Sequence, residues 1–267
     1  MSERDRFTAD SVRGQSEVIG FVIVFSAILS AAIVVSVFGL TALDDVREST
    51  VANNGEVAMQ AVSDDVHSIY YGSAERRTTE LPLDSASLDV GDPTRVTVGV
   101  ESTDSPSTID GDWTWRLTPL VYRTDAASIY YETSLVVRQQ RDGAVAVTDS
   151  LFRMDDDRAV IPVVRTNATA NESVSGGARR VEAFENGTES VVRTTDPLPN
   201  PSDTLEVTVE ITGVSGREQV WARTLNDAYS GSASSPCAAD IADDEVTCTF
   251  ETDRLVVSSV AVEYTLE

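Results

Sequence analysis

The sequence predicts an α+β chain: a long N-terminal helix, membrane-spanning and then amphipathic, followed by an extracytoplasmic, mainly antiparallel β-domain (sandwich or barrel-like) with one short helix. Three observations predict it. Val18 to Leu43 carries no charged side chain. Leu43, Val46, Met59, Val62, Val66, Ile69 and Tyr70 then fall largely at helical spacing among acids. From Leu81 onward, short runs alternate with period two between clusters of Gly, Pro, Asp and Ser.

The uncharged run has 26 residues, and at ~1.5 Å rise each it makes a helix of roughly 39 Å, against a hydrocarbon core of about 30 Å. That is enough to span with tilt. A secretory signal has an apolar region of ~7–15 residues and ends in a small-x-small cleavage site; this run is longer, and no Ala-x-Ala follows it. Arg4, Arg6 and Arg13 precede the span, whereas the near distal flank offers only Arg47 beside Asp44, Asp45 and Glu48. The positive-inside rule therefore puts the N-terminus in the cytoplasm and the rest of the chain outside.

Residues 44–73 continue as an amphipathic stalk helix. Asn53-Asn54-Gly55 is expected to interrupt it, because glycine costs ~1 kcal/mol in a helix interior, and Gly72-Ser73 is expected to end it. The β-domain, residues 80–267, has candidate strands at Arg95 to Glu101, Trp113 to Leu117, Ser128 to Gln139, Ala144 to Thr148, Ala159 to Val164, Thr204 to Ile211, Glu245 to Phe250 and Leu255 to Leu266. Arg141-Asp142-Gly143 reads as a hairpin turn. Gly216 and Gly231 bracket a helix at Arg217 to Tyr229. Ser102 to Asp112 and Asn167 to Asn186 read as exposed loops, and Pro197 to Pro201 as a stiff connector.

The net charge is −24, and all 20 basic residues are arginine. So acidic a surface repels nucleic acid, which is excluded as a partner. Acidity without lysine suits an extreme halophile, where molar salt shortens the Debye length to about 3 Å. Cys237 and Cys248, the only cysteines, are expected to form a disulfide outside the cytoplasm. Three sequons, at Asn167, Asn171 and Asn186, cluster in the segment read as loop and could accept N-linked glycan.

Arg13-Gly14-Gln15-Ser16-Glu17 running directly into the apolar helix resembles the class III signal of archaeal type IV pilins and archaellins. The resemblance implies residues 1–14 as a cytoplasmic leader, removed by a prepilin peptidase between Gly14 and Gln15. It also implies residues 15–43 as a retained transmembrane helix, with the lipid bilayer and, in members that polymerise, other pilin-like subunits as partners. The small-xxx-small pairs Ser26/Ser30, Ala27/Ala31 and Ala32/Ser36 suit close helix packing. Bacterial type IV pilins carry glutamate at the fifth mature position; here that position is Ile19 and the acid is Glu17, an arrangement closer to haloarchaeal members. The Ser128 to Gln139 run, Ile161 to Val164 and the tryptophan-bearing helix before the cysteine pair are also similar to an uncharacterised haloarchaeal family of pilin-like surface proteins.

Catalysis has little support. His67 is the only histidine and lies in the stalk, so neither a Ser-His-Asp triad in the sheets nor a histidine zinc site is expected. Asp155-Asp156-Asp157 and Asp243-Asp244-Glu245 lack calcium-loop spacing, and Trp113, Trp115, Tyr122, Tyr130 and Tyr131 read chiefly as core. No cofactor and no metal site is expected. The reading is a non-enzymatic, single-pass, cell-surface pilin-like protein with a structural or adhesive role. The alternative is an anchored extracellular binding module or hydrolase acting on surface polysaccharide.

Overall fold

The structure, a computed structural model, describes residues 10–102, 110–141, 143–170, 173–193 and 204–267, with side chains at 10–17, 38–42, 44, 45, 169, 170 and 190–193 outside that description. The chain divides into two compact units, one ending at Ser49 and the other comprising Thr50–Glu267. Helix α1 runs Asp10–Tyr70.

Within the second unit, α1 buries Ala52, Met59, Val62, Val66 and Ile69, the one-sided stripe that 3.6-residue periodicity creates. The interruption expected at Asn53-Asn54-Gly55 does not occur, and the helix continues through it. Gly55 is there for close approach: a Cβ would lie 2.5 Å from the Tyr122 ring and 2.8 Å from Ile129. Arg138 reinforces this contact, donating to Glu56 at 2.5 Å and Asn53 at 3.1 Å. The helix ends as expected, with Gly72 at φ +68° and amide bonds from Gly72 to Ile69 and from Ser73 to Ser68, both 2.9 Å, the glycine-closed terminus that satisfies orphan carbonyls.

Three sheets follow. The first contains β1 (Arg76–Pro82), β12 (Ala178–Arg193), β16 (Leu255–Leu266), β10 (Ala159–Ala170) and β9 (Arg153–Met154), in that order. The second runs β11 (Ser173–Ser175), β2 (Ser87–Val90), β5 (Leu120–Arg123), β6 (Ser128–Glu132), β7 (Leu135–Gln140), β8 (Gly143–Ala146). The third runs β14 (Cys237–Asp240), β15 (Glu245–Thr252), β13 (Leu205–Thr212), β3 (Thr94–Ser102), β4 (Gly111–Leu117). All named pairings are antiparallel except β10 with β16, which is parallel. Helix α2 (Glu218–Ala228) is the short helix that the sequence predicts.

Two apolar cores share the first sheet. One gathers Ile161, Val163, Leu255 and Val257 with the inner residues of the third sheet and with Val220, Trp221 and Leu225 of α2. The other gathers Val164, Val260, Val262 and Tyr264 with α1 and the second sheet. Successive side chains on a strand face opposite ways, so the cores lie on opposite faces of β10 and β16. The phase changes at one register position, where the adjacent pairs Val163-Val164 and Ser259-Val260 are all buried.

Two expectations are corrected. Asn167 to Asn186, read as loop, is largely strand: the end of β10, then β11 and the start of β12. Its buried residues, Val181 and Ala183, alternate with Arg180 and Glu182, and one polar face hides the pattern. Ser128 to Gln139 is two strands, because Glu132, Thr133 and Ser134 turn the chain, with Thr133 at φ +45°. That turn is buried and anchored. Glu132 accepts from Arg217 Nη2 at 2.6 Å and Trp221 Nε1 at 2.9 Å, the Arg217 guanidinium lies 4.0 Å from the Tyr130 ring centre, and Thr133 Oγ1 accepts from the Val164 amide at 3.2 Å. Removing one partner of such a buried pair costs about 3–5 kcal/mol. Within the predicted hairpin Arg141 to Gly143, Asp142 lies outside the described residues, as do 103–109 of one predicted loop and the whole Pro197 to Pro201 connector.

Gly55→Ala discriminates packing from propensity. In an open helix it would stabilise by ~1 kcal/mol; against Tyr122 it overpacks, at a cost of ~1–3 kcal/mol. Denaturant titration of the detergent-solubilised chain is expected to show a lower midpoint, and a higher one would contradict the packing.

Candidate functional site

The most distinctive surface of the chain is the apolar stretch of α1. Val18–Val37 is 20 residues long and none of it is buried. Its thirteen large apolar side chains are 52–71% exposed, Phe21 and Val35 most of all. The rings of Phe21 and Phe25 stack at 6.0 Å. Fully covering a side chain of this size is worth ~1.5–3 kcal/mol, so leaving thirteen of them exposed to this extent in water costs roughly 10–25 kcal/mol, at least as much as the ~5–15 kcal/mol stability of an ordinary domain. A surface of this kind is built for an apolar environment. Arg13, Gly14, Gln15, Ser16 and Glu17 lie on the helical backbone just before it; their side chains lie outside the described residues.

Cys237 and Cys248 form a disulfide between residues directly opposite in the β14/β15 ladder. Asn226 of α2 clamps the same strand, donating to the Cys237 carbonyl at 2.9 Å and accepting its amide at 3.0 Å. Asn167 on β10 and Asn186 on β12 are exposed, while Asn171 lies outside the described residues.

The acidic runs serve as turns. Asp155 Oδ1 accepts the amides of Asp157 and Arg158 at 2.9 and 2.7 Å. Asp156 accepts the Tyr229 hydroxyl at 2.7 Å and the Ser232 amide at 2.8 Å, and these bonds hold its carboxyl below the usual carboxylate range. Asp244 adopts φ +54°. Among the described residues, no three His, Cys, Asp or Glu side chains gather to hold a metal ion. Trp115, Tyr122 and Tyr131 are buried in the two cores, and Trp113 packs against the first. Tyr130 instead stacks under Arg217.

Among the described residues, clefts open on the β-domain. One, of about 470 Å³, is lined by residues including Thr148, Asp149, Ser150, Arg153, Thr224 and Asp227. Another, of about 490 Å³, includes Asp156, Glu206, Tyr229, Glu251 and Asp253. His67 lines neither. The Glu132–Arg217 pair, which the sequence reading does not identify, joins residues 85 apart and carries no local signal.

His67 packs near the β6–β7 turn, 3.4 Å from Ser63 Oγ. Burial lowers its imidazolium below the ordinary value of 6.5, outweighing the raising effects of the Ser134 backbone and Asp64. As pH falls, the unfolded chain therefore takes up this proton first, and stability owed to the neutral ring is present above about pH 6.5 and lost below it. The slope of unfolding free energy between pH 7.5 and 5 is expected to be shallower in His67→Asn than in wild type; equal slopes would contradict the burial of a neutral ring.

No curated protein and no solved structure shows a significant match to the chain. A family model described as a family of unknown function, DUF7289, matches residues 13–265, from the basic residue before the apolar helix almost to the end of β16. The chain belongs to that family.

Proposed function

We propose that this is a pilin-like cell-surface protein of a halophilic archaeon, held in the cytoplasmic membrane by α1, with residues 1–14 inside the cell and the Thr50–Glu267 unit outside. A prepilin peptidase trims it between Gly14 and Gln15, and its role is structural or adhesive rather than enzymatic. The observation that carries this reading is the uncovered apolar surface of Val18–Val37, which a bilayer would cover at every side.

Three further features support it. Arginines precede the span while acids follow it. The disulfide suits an oxidising compartment. The junction Arg13-Gly14-Gln15 stands before the helix, so that cutting there keeps the anchor on the mature protein.

Mass spectrometry of the N-terminus of the protein from its own cells tests the processing step. The mature chain is expected to begin at Gln15, and Gly14→Val to leave the leader attached. Recovery of Met1 or Ser2 at the N-terminus of the wild-type chain would refute it.

A further inference from the structure

The face of the first sheet that carries the α2-side core continues, past Val163 and Ser259, into residues that belong to neither core. On β10 these are Arg165 and Asn167; on β16 they are Ala261, Glu263 and Thr265. Asn167 is the register partner of Glu263 in the parallel ladder, so both side chains project from this same face. On the other side of β16, Asn186 of β12 donates its Nδ2 hydrogen to the Glu263 carboxylate, which places it on that face too. The two asparagines thus lie on the strands either side of Glu263, and because Phe184 is the register partner of Glu263 on β12, they are roughly 12 Å apart at ordinary strand spacing and rise. Asn186 falls in the register shift between Glu185 and Thr188, beside Gly187 at φ +113°, where the bulge frees it from the ladder. Both asparagines are exposed, and each begins an Asn-x-Thr sequon, Asn167-Ala168-Thr169 and Asn186-Gly187-Thr188.

We propose that this half-exposed sheet face, with Asn167 and Asn186 its exposed side chains, is a glycan-bearing face, with oligosaccharide N-linked to both asparagines. The inference rests on the extracytoplasmic placement proposed above. The donor is a lipid-linked oligosaccharide: one Nδ2–H bond breaks, a bond forms between Nδ2 and sugar C1, and the C1–O bond to the lipid phosphate breaks, its electron pair leaving with the phosphate. The proton passes to a basic group of the transferase, and no oxidant is needed. The modified Asn186 amide keeps one hydrogen and so remains a donor. The Phe184 ring, with the guanidinium of Arg76 5.5 Å from its centre, lies on the same face opposite Glu263. The sequon at Asn171 lies outside the described residues.

Glycopeptide mass spectrometry on the full chain from its own cells, paired with protease treatment of intact cells, tests the proposal. Peptides containing Asn167 and Asn186 are each expected to carry a hexose-containing mass increment. The first is lost in Asn167→Gln and in Thr169→Ala, the second in Asn186→Gln and in Thr188→Ala, although both threonine variants retain the asparagine. Unmodified peptides from a domain that external protease cleaves would overturn this inference and leave the proposed placement standing. Unmodified peptides from a domain that protease cannot reach would overturn both. Modification of only one asparagine would overturn the shared glycan face.

Discussion

One helix carries two kinds of surface, and the folded domain is built on the second of them. From Val18 to Val37 α1 is apolar on every side and wholly uncovered. From Ala52 to Ile69 it is apolar on one side, and that side is buried. The backbone is helical through both stretches, so the difference lies in side-chain distribution alone. A helix apolar all round belongs in a protein core or in lipid, whereas a one-sided stripe belongs against a folded domain. The acids and polar residues between them, Glu48 to Thr50 among others, are exposed and mark the transition.

The second surface makes residues 50–70 of α1 an integral part of the β-domain. Met59, Val62, Val66 and Ile69 fill one core with Tyr122, Ile129 and Tyr131, while Arg138 bonds Asn53 and Glu56. That core and the α2-side core lie on opposite faces of β10 and β16, which makes the parallel strand pair the element common to both. The buried turn after β6 ties the same region together through Glu132, Arg217 and Trp221.

Much of this was legible in the sequence because it rests on period. The uncharged run, the stalk stripe, α2, and strands such as β13 and β16 follow from spacing, and the expected Cys237–Cys248 disulfide is found in register between β14 and β15. Less legible were β1, β2, β11 and β12. Their exposed faces are rich in Arg, Thr, Ser and Glu, and among the described side chains only Val181 and Ala183 betray the buried side of β12. Gly55 read as a breaker because its neighbour Tyr122 is distant in sequence, and Glu132–Arg217 was invisible for the same reason. The shared face of Asn167 and Asn186 needed strand register, which a motif search does not supply.

The central claim is that the two stretches of α1 face different solvents, and spin labels placed singly along the helix in reconstituted vesicles test it most directly. Labels from Val18 to Val37 are expected to collide with lipid-soluble oxygen at every position and to be shielded from a water-soluble nickel reagent. Labels from Ala52 to Tyr70 are expected to alternate between nickel-accessible and buried with a 3.6-residue period. Nickel access throughout Val18–Val37, or a 3.6-residue alternation there, would contradict the account.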